Sequence, residues 1–172
     1  MALIATLAVG SNHATTLGGG SREISTPADR TRFLALHRSA GAIITGRESA
    51  AVEDYSKTQV PIFIFSRKPE KLSFPHPSMQ QITVDRDLLE IARRIDQRIS
   101  GDIVIEAGPR LLMAMVKVGA VDELQLSITP ILGDGNFIDL KYLLSYFEIE
   151  REENESGTRL LQCRYNSDAT NR

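Results

Sequence analysis

Runs of strand-length aliphatic residues alternate along this chain with segments of helical periodicity, and that alternation restricts the fold more than any other feature of its 172 residues. Ala2 to Val9, "AIIT", "PIFIF" and "DIVIE" are each nearly continuous in apolar and β-branched side chains. A run without polar alternation has both faces buried, which is the condition of a strand in a parallel sheet covered by helices on either side. Strands separated by helices therefore predict an α/β fold with a largely parallel central sheet.

The intervening segments carry the matching helix signals. "STPADRTRFLALHRSAG" opens with a serine and threonine cap, places Pro27 in the first turn and sets Phe33, Leu34 and Leu36 on one side before Gly41 ends it. Asp87 to Ile99 spaces Leu88, Ile91, Ala92, Ile95 and Ile99 at helical intervals. Pro109 to Val118 is the next helix, with Gly119 as its stop. "MQQITV" is a weaker strand with the polar content of a sheet edge. Beyond Gly119 the last two strands have no helix between them, which predicts a C-terminal antiparallel hairpin around Asn154 to Gly157. Gly10 to Ile24 is too polar and glycine-rich for a core element, so it is expected as a long loop over a site or over the sheet edge. Residues 1–165 are expected to form a single domain, with a polar tail at 166–172 that frays.

Charge excludes some partners. The 20 basic and 22 acidic residues are interspersed and leave a net charge of −2, so neither nucleic acid nor an anionic membrane surface is an expected partner. Cys163 stands alone, which rules out an internal disulfide framework and a zinc site built on cysteine pairs, and fits a cytoplasmic location. "MALIATLAVG" is too short to span a bilayer and lacks a basic leader, so it is read as a buried first strand. His13, His37 and His76 lack the spacing of a metal site, and none is expected. The glycines at 18 to 20 do not form a dinucleotide fingerprint, and the Walker pattern is absent.

Candidate sites lie where strands hand over to helices. In "IVIEAGPRLL", Glu106 ends a strand and Gly108-Pro109 begins a helix whose first backbone N–H groups favour an anion such as a phosphate. The same ten residues also fit a plain tight turn beside a solvated acid. A second junction, "AIITGRES", brings Thr45, Gly46, Arg47 and Ser49 to a similar turn. A third strand end, "FIFSRKP", offers Ser66, Arg67 and Lys68, a hydroxyl and two cations suited to a 2′-phosphate. Three such ends on one sheet point to a phosphate-rich ligand, NADPH in particular.

The order of these pieces resembles the reductase domain of the bacterial riboflavin-biosynthesis deaminase-reductase, and more widely the dihydrofolate reductases. The similarity runs through "GGSREISTPADRTRFLALHRSAGAIITG" and "IVIEAGPRLLMAMVKVGAVDELQLSITPILGDG", with "EAGP-x-L", "VDEL" and "P-x-LGDG" the most specific parts. It implies a three-layer α/β/α, dihydrofolate-reductase-like fold, NADPH across the strand ends and a homodimer. It implies hydride transfer to the ribose C1′ of an aminouracil phosphoribosylamine. By position Glu106 matches the family's substrate-binding glutamate, here also the expected catalytic residue, and Ser21 its substrate-contacting serine. His37 stands where the family has a substrate-binding arginine, with Arg38 beside it. Gly108, Pro109, Arg110 and Leu111 fall on the pyrophosphate turn, and Ser49 on a cofactor-contacting threonine.

Several positions depart from that pattern. "VGSN" at Val9 to Asn12 replaces the family's Ser-Leu-Asp-Gly, Ala5 stands near its lysine, and "AVEDYSKTQVP" has no counterpart of its downstream arginine. The readings that follow are an NADPH-dependent reductase of the riboflavin type, a reductase of another small carbonyl, imine or pterin, or a nucleotide-binding interaction module without catalysis. The apolar "LQLSITPIL" strand is expected to pair or pack across the dimer interface.

Overall fold

A computed structural model of the chain describes residues 1–70, 77–84 and 87–171; His76, considered above, lies outside them. One eight-stranded sheet runs in the order β4-β3-β2-β5-β1-β6-β8-β7. Its strands are β1 (Leu3–Val9), β2 (Ala42–Gly46), β3 (Ile62–Ser66), β4 (Met79–Thr83), β5 (Ile103–Glu106), β6 (Glu123–Ile128), β7 (Phe147–Glu155) and β8 (Thr158–Tyr165). Strands β1 to β6 pair in parallel, and β8 is antiparallel to both β6 and β7. This is the mostly parallel sheet with a C-terminal hairpin that the residue pattern predicts, and "MQQITV" does occupy an edge. The hairpin turns at Ser156 and Gly157, whose φ angles of 51° and 83° suit a tight primed turn.

Helices α1 (Pro27–Ser39), α2 (Arg47–Val52), α3 (Leu88–Asp96), α4 (Pro109–Lys117) and α5 (Leu140–Leu144) cover the sheet. On one face, Leu3, Ala5, Leu7 and Val9 of β1 join Ile103, Ile105, Leu124 and Leu126 in a core closed by Ala92 and Ile95 of α3, Leu112, Met115 and Val116 of α4, and Leu140 and Leu143 of α5. On the other, Ile43, Ile62 and Ile64 pack with Ala50 of α2 and with Tyr55. Helix α5, started by an Asp139 side chain that accepts from the Tyr142 N–H, was not expected from the sequence. Among the described residues no helix is long and apolar enough to cross a membrane.

Helix α1 departs from its expected apolar stripe. Phe33, Leu34 and Leu36 are only half-buried, and the residue that α1 buries beside Ala28 is Asp29. The helix sits on hydrogen bonds: Ser127 Oγ donates to Asp29, Arg32 donates to Ser127 Oγ at 2.8 Å and to the Leu161 carbonyl at 3.1 Å, and the Thr26 and Thr158 hydroxyls meet at 2.8 Å. A polar seat replaces a hydrophobic one because β6 turns Ser127 and Gln125 to this face while Leu124 and Leu126 go to the main core.

The "LQLSITPIL" strand is likewise not available for pairing. Both edges of β6 are taken, by β1 and by β8. The C-terminal segment expected to fray carries a 3-10 turn at Ser167–Asn171, with the Asn166 N–H donating to the Tyr146 carbonyl at 2.8 Å.

Candidate active site

Strand order places a crevice at one position. From β2 the chain moves outward to β3, whereas from the adjacent β5 it moves the other way, past β1, to β6. Connections leaving neighbouring parallel strands in opposite directions open a gap at their carboxyl ends, where α/β sheets bind ligands. The two residues paired at that end are Thr45 and Glu106. Because side chains alternate along β5, Ile103 and Ile105 enter the main core and Glu106 faces the α1 and α2 side.

Three elements converge on Glu106. Nε2 of His37, on α1, contacts Glu106 Oε1. The Tyr55 hydroxyl, from the segment after α2, lies 3.2 Å from Glu106 Oε2 and 3.2 Å from Thr45 Oγ1. Thr45 Oγ1 in turn donates to the Glu106 backbone carbonyl at 2.8 Å. Tyr55 is 5% exposed, and the side chains of His37 and Glu106 are 18% and 12% exposed. The group is dry enough for electrostatics to matter and open enough to be reached.

Burial pushes the Glu106 carboxyl up to about 8; the Glu53 carboxylate adds to this, while the Arg30 charge opposes it. Burial and the Arg30 charge hold the His37 imidazole below its ordinary value. The Tyr55 phenol is raised by burial and then by Glu106, so it stays protonated. Burial thus opposes an ion pair and favours an uncharged acid beside an uncharged imidazole. Such a pair can hold a proton against a bound ligand and release it within a narrow range of conditions.

The remaining sequence candidates fall around this centre. Ser21 is exposed and donates to Glu53 Oε1 at 2.8 Å, linking the Gly10 to Ile24 loop to the end of α2. That loop is bound to the segment after β6: Asn12 Nδ2 donates to the Gly133 carbonyl and Thr15 Oγ1 to the Asn136 carbonyl, each at 2.8 Å. Arg38 is exposed on α1, and the α1 cation acting on the acid and imidazole is Arg30, one face and two turns earlier. Arg30 also lies 5.1 Å from the Phe33 ring centroid, and Phe33 is 4.3 Å from the His37 ring.

On the cofactor side, Gly108 caps α4 without a side-chain hydrogen bond, and Pro109 starts it. A Cβ added to Gly108 would meet nothing within 4 Å, so its backbone is open to a ligand. Gly46 starts α2, again with no side-chain cap, and a Cβ there would lie 3.5 Å from Leu111, so the two junctions touch. Ser49 is half-buried and Arg110 exposed. Arg47 donates to the Glu70 carbonyl at 3.0 Å. The Ser66 hydroxyl is buried and tied to its own turn through the Lys68 backbone, at 3.0 and 3.1 Å. Arg67 and Lys68 are exposed at the end of β3.

Sequence reasoning missed Tyr55, Arg30 and Glu53. Tyr55 stands in the polar stretch "VEDYSKTQ", where no periodicity marks it; only its being a lone aromatic there hinted at burial. Arg30 could have been found from the interval of seven that places it on the His37 face.

The chain as a whole has relatives among known proteins. Residues 13–140 match the model of the RibD C-terminal domain family. The uncharacterized protein YyaP of Bacillus subtilis is 29% identical over 98 residues, which cover 55% of this chain and 50% of YyaP; the chain matches about half the length of that relative. A pyrimidine reductase-like protein from Corynebacterium diphtheriae superposes with a TM-score of 0.69 at 15% identity, covering 97% of this chain and 93% of the other. Dihydrofolate reductase from Enterococcus faecalis, in a complex with NADP(H), superposes with a TM-score of 0.69 at 12% identity over 96% and 97% of the two chains. The fold is that of the dihydrofolate reductases.

Proposed function

The chain belongs to the RibD C-terminal domain family, and on that premise we propose that it is an NADPH-dependent reductase of the riboflavin-biosynthesis type. Its substrate on this reading is an aminouracil phosphoribosylamine reduced at the ribose C1′. The observation that carries the proposal is the reversal of strand order between β2 and β5, where a half-buried acid, Glu106, stands beside two touching helix starts that have no side-chain cap.

The residues present fit a dinucleotide. At the open Gly108 backbone the first N–H groups of α4, those of Arg110 and Leu111, have no intrahelical acceptor and favour a pyrophosphate. Thr45, Gly46 and Ser49 would line the same side, with Arg47 fixed there by the Glu70 carbonyl. Arg67 and Lys68 would meet a 2′-phosphate, with Ser66 shaping their turn. When bound, the nicotinamide supplies a hydride. The protein orients the substrate, Glu106 and His37 govern a proton at the reacting end, and Ser21, Arg30 and Arg38 contact its polar groups.

Titration of the purified protein with NADPH and NADH tests the reading, followed by NADPH oxidation with the aminouracil phosphoribosylamine. Tighter binding of NADPH and turnover are expected. Replacing Arg67 by Ala should weaken NADPH about tenfold, roughly 1.4 kcal/mol, and leave NADH unchanged. Failure to bind either nucleotide would overturn the proposal and favour an interaction module. The contact of His37 with Glu106, where the resemblance has an arginine, favours a second reading, a reductase of another imine or carbonyl compound; NADPH binding without turnover of the aminouracil would select it.

A further inference from the structure

We propose that Glu106 and His37 form one proton-holding unit that is the proton donor of the reduction, with Tyr55 as its positioning residue. The inference rests on the reductase reading and adds to it the source of the proton.

A count of hydrogens leads to it. Thr45 Oγ1 gives its single hydrogen to the Glu106 carbonyl, so toward Tyr55 it can only accept. The phenol then has one hydrogen and two acceptors at 3.2 Å, Thr45 Oγ1 and Glu106 Oε2. An ionised carboxylate leaves one of them unserved in a buried place, which is unfavourable. A proton on the carboxyl group completes the ring: the acid donates to the phenol oxygen and the phenol donates to Thr45. The other oxygen, Oε1, faces His37 Nε2. Either the acid or the imidazole can carry the proton, and the carboxyl group between two fixed partners has no freedom to turn away.

The groups facing this unit are Arg30 on α1, Glu53 at the end of α2 and Tyr55 itself; Glu53 is in turn held by Ser21 of the long loop. One cation and one anion of opposite effect flank the pair, and burial keeps the uncharged form dominant. As hydride adds to the electrophilic carbon of a C=N or C=O bond, the π electrons pass to the nitrogen or oxygen, which takes the proton. The unit is left as carboxylate and neutral imidazole, and the part-exposed His37 edge takes up a proton from solvent. The reductant is a reduced nicotinamide, and hydride plus proton balance the saturated product.

Carbon-13 labelling of the histidine rings in the nucleotide-free protein, read by NMR between pH 5 and 9.5, tests the unit without any turnover; His37→Asn assigns the signal. Two steps are expected at His37, one below its ordinary value and one near the Glu106 value of about 8, the second lost in Glu106→Gln. Tyr55→Phe, which removes the phenol oxygen that accepts the acid's proton, should move that second step downward. A single step unaltered by Glu106→Gln would overturn the proposal. In turnover, kcat should fall above the same upper pH, and Glu106→Gln should reduce it by about 10² to 10⁴ with NADPH affinity retained. A kcat indifferent to Glu106→Gln would equally overturn it. Loss of NADPH binding in the unaltered protein would instead remove the reductase reading, and the donor role with it, whatever the imidazole signal does.

Discussion

Glu106 and His37 affect folding as well as chemistry, because a proton held in the folded state changes how stability varies with pH. The folded pair carries one proton from below the ordinary imidazole value of 6.5 up to about 8. Unfolded, the same two side chains carry one proton between about 4.5 and 6.5, as histidinium beside carboxylate, and none above. Proton numbers match just below 6.5, so stability is flat there; above it the folded state binds more, so stability falls as pH rises to about 8. The loss expected from this pair is about 2 kcal/mol, at 1.36 kcal/mol per pH unit. Urea unfolding of the native chain and Glu106→Gln at pH 6 and pH 8 checks it: the native chain loses stability over that interval relative to the variant. An equal response in both would remove the raised acid. Glu106 and His37 were legible in the sequence, the first from its place at a strand end and both from the family resemblance. Their contact was not, since it joins residues 69 apart in sequence, and Tyr55 offered no periodicity to read.

Elements were legible wherever hydrophobic periodicity made them. Strands β1, β2, β3, β5 and β6 and helices α3 and α4 all bury an aliphatic run or stripe, and sequence marks those directly, whereas β4 buries none and reads only as a weak edge strand. Helix α1 was legible from Thr26 and Pro27, its cap and first residue, yet its packing was not. Its seat on Asp29, Arg32 and Ser127 depends on which face of β6 each residue takes, a fact of register. Helix α5 is five residues long, shorter than a stripe needs to be visible. The polar seat has a mechanical consequence, since Asp29 is buried and accepts from both Ser25 and Ser127. Replacing Asp29 by Ala would remove the acceptor of the Ser25 and Ser127 hydroxyls and the negative charge that acts on the part-buried Arg32 guanidinium. A loss of about 3 kcal/mol in urea unfolding is expected, with NADPH affinity in the surviving folded fraction little altered. A loss below about 1 kcal/mol would mean that apolar contacts of Phe33, Leu34 and Leu36 hold the helix.

At the scale of the molecule, the sheet constrains assembly and the crevice constrains ligand response. We infer a homodimer from the resemblance, but β6 is paired on both sides and the outer strand β7 exposes Glu148, Glu150, Glu152, Glu153 and Glu155. These charged side chains, of which Glu150, Glu152 and Glu153 pair with Arg164, Arg159 and Arg151, disfavour strand pairing of two copies through β7; sedimentation at twice 19.0 kDa would support a dimer, and a monomer mass would refute it. Ligand response is the sharper test because the crevice lies between β2 and β5, in the middle of the sheet. A nucleotide seated there touches the ends of β2, β3 and β5 and stabilises one cooperative unit. At a hundred times its dissociation constant it adds about 2.7 kcal/mol. For a chain of this length that corresponds to a rise in Tm of roughly 5 to 10 °C. NADH at the same concentration, bound about tenfold more weakly for want of the 2′-phosphate contact, adds about 1.4 kcal/mol and roughly half the rise. Arg67→Ala should bring the two nucleotides to the same Tm, since it removes the contact that distinguishes them. Equal shifts in the unaltered protein would place the nucleotide elsewhere than the end of β3.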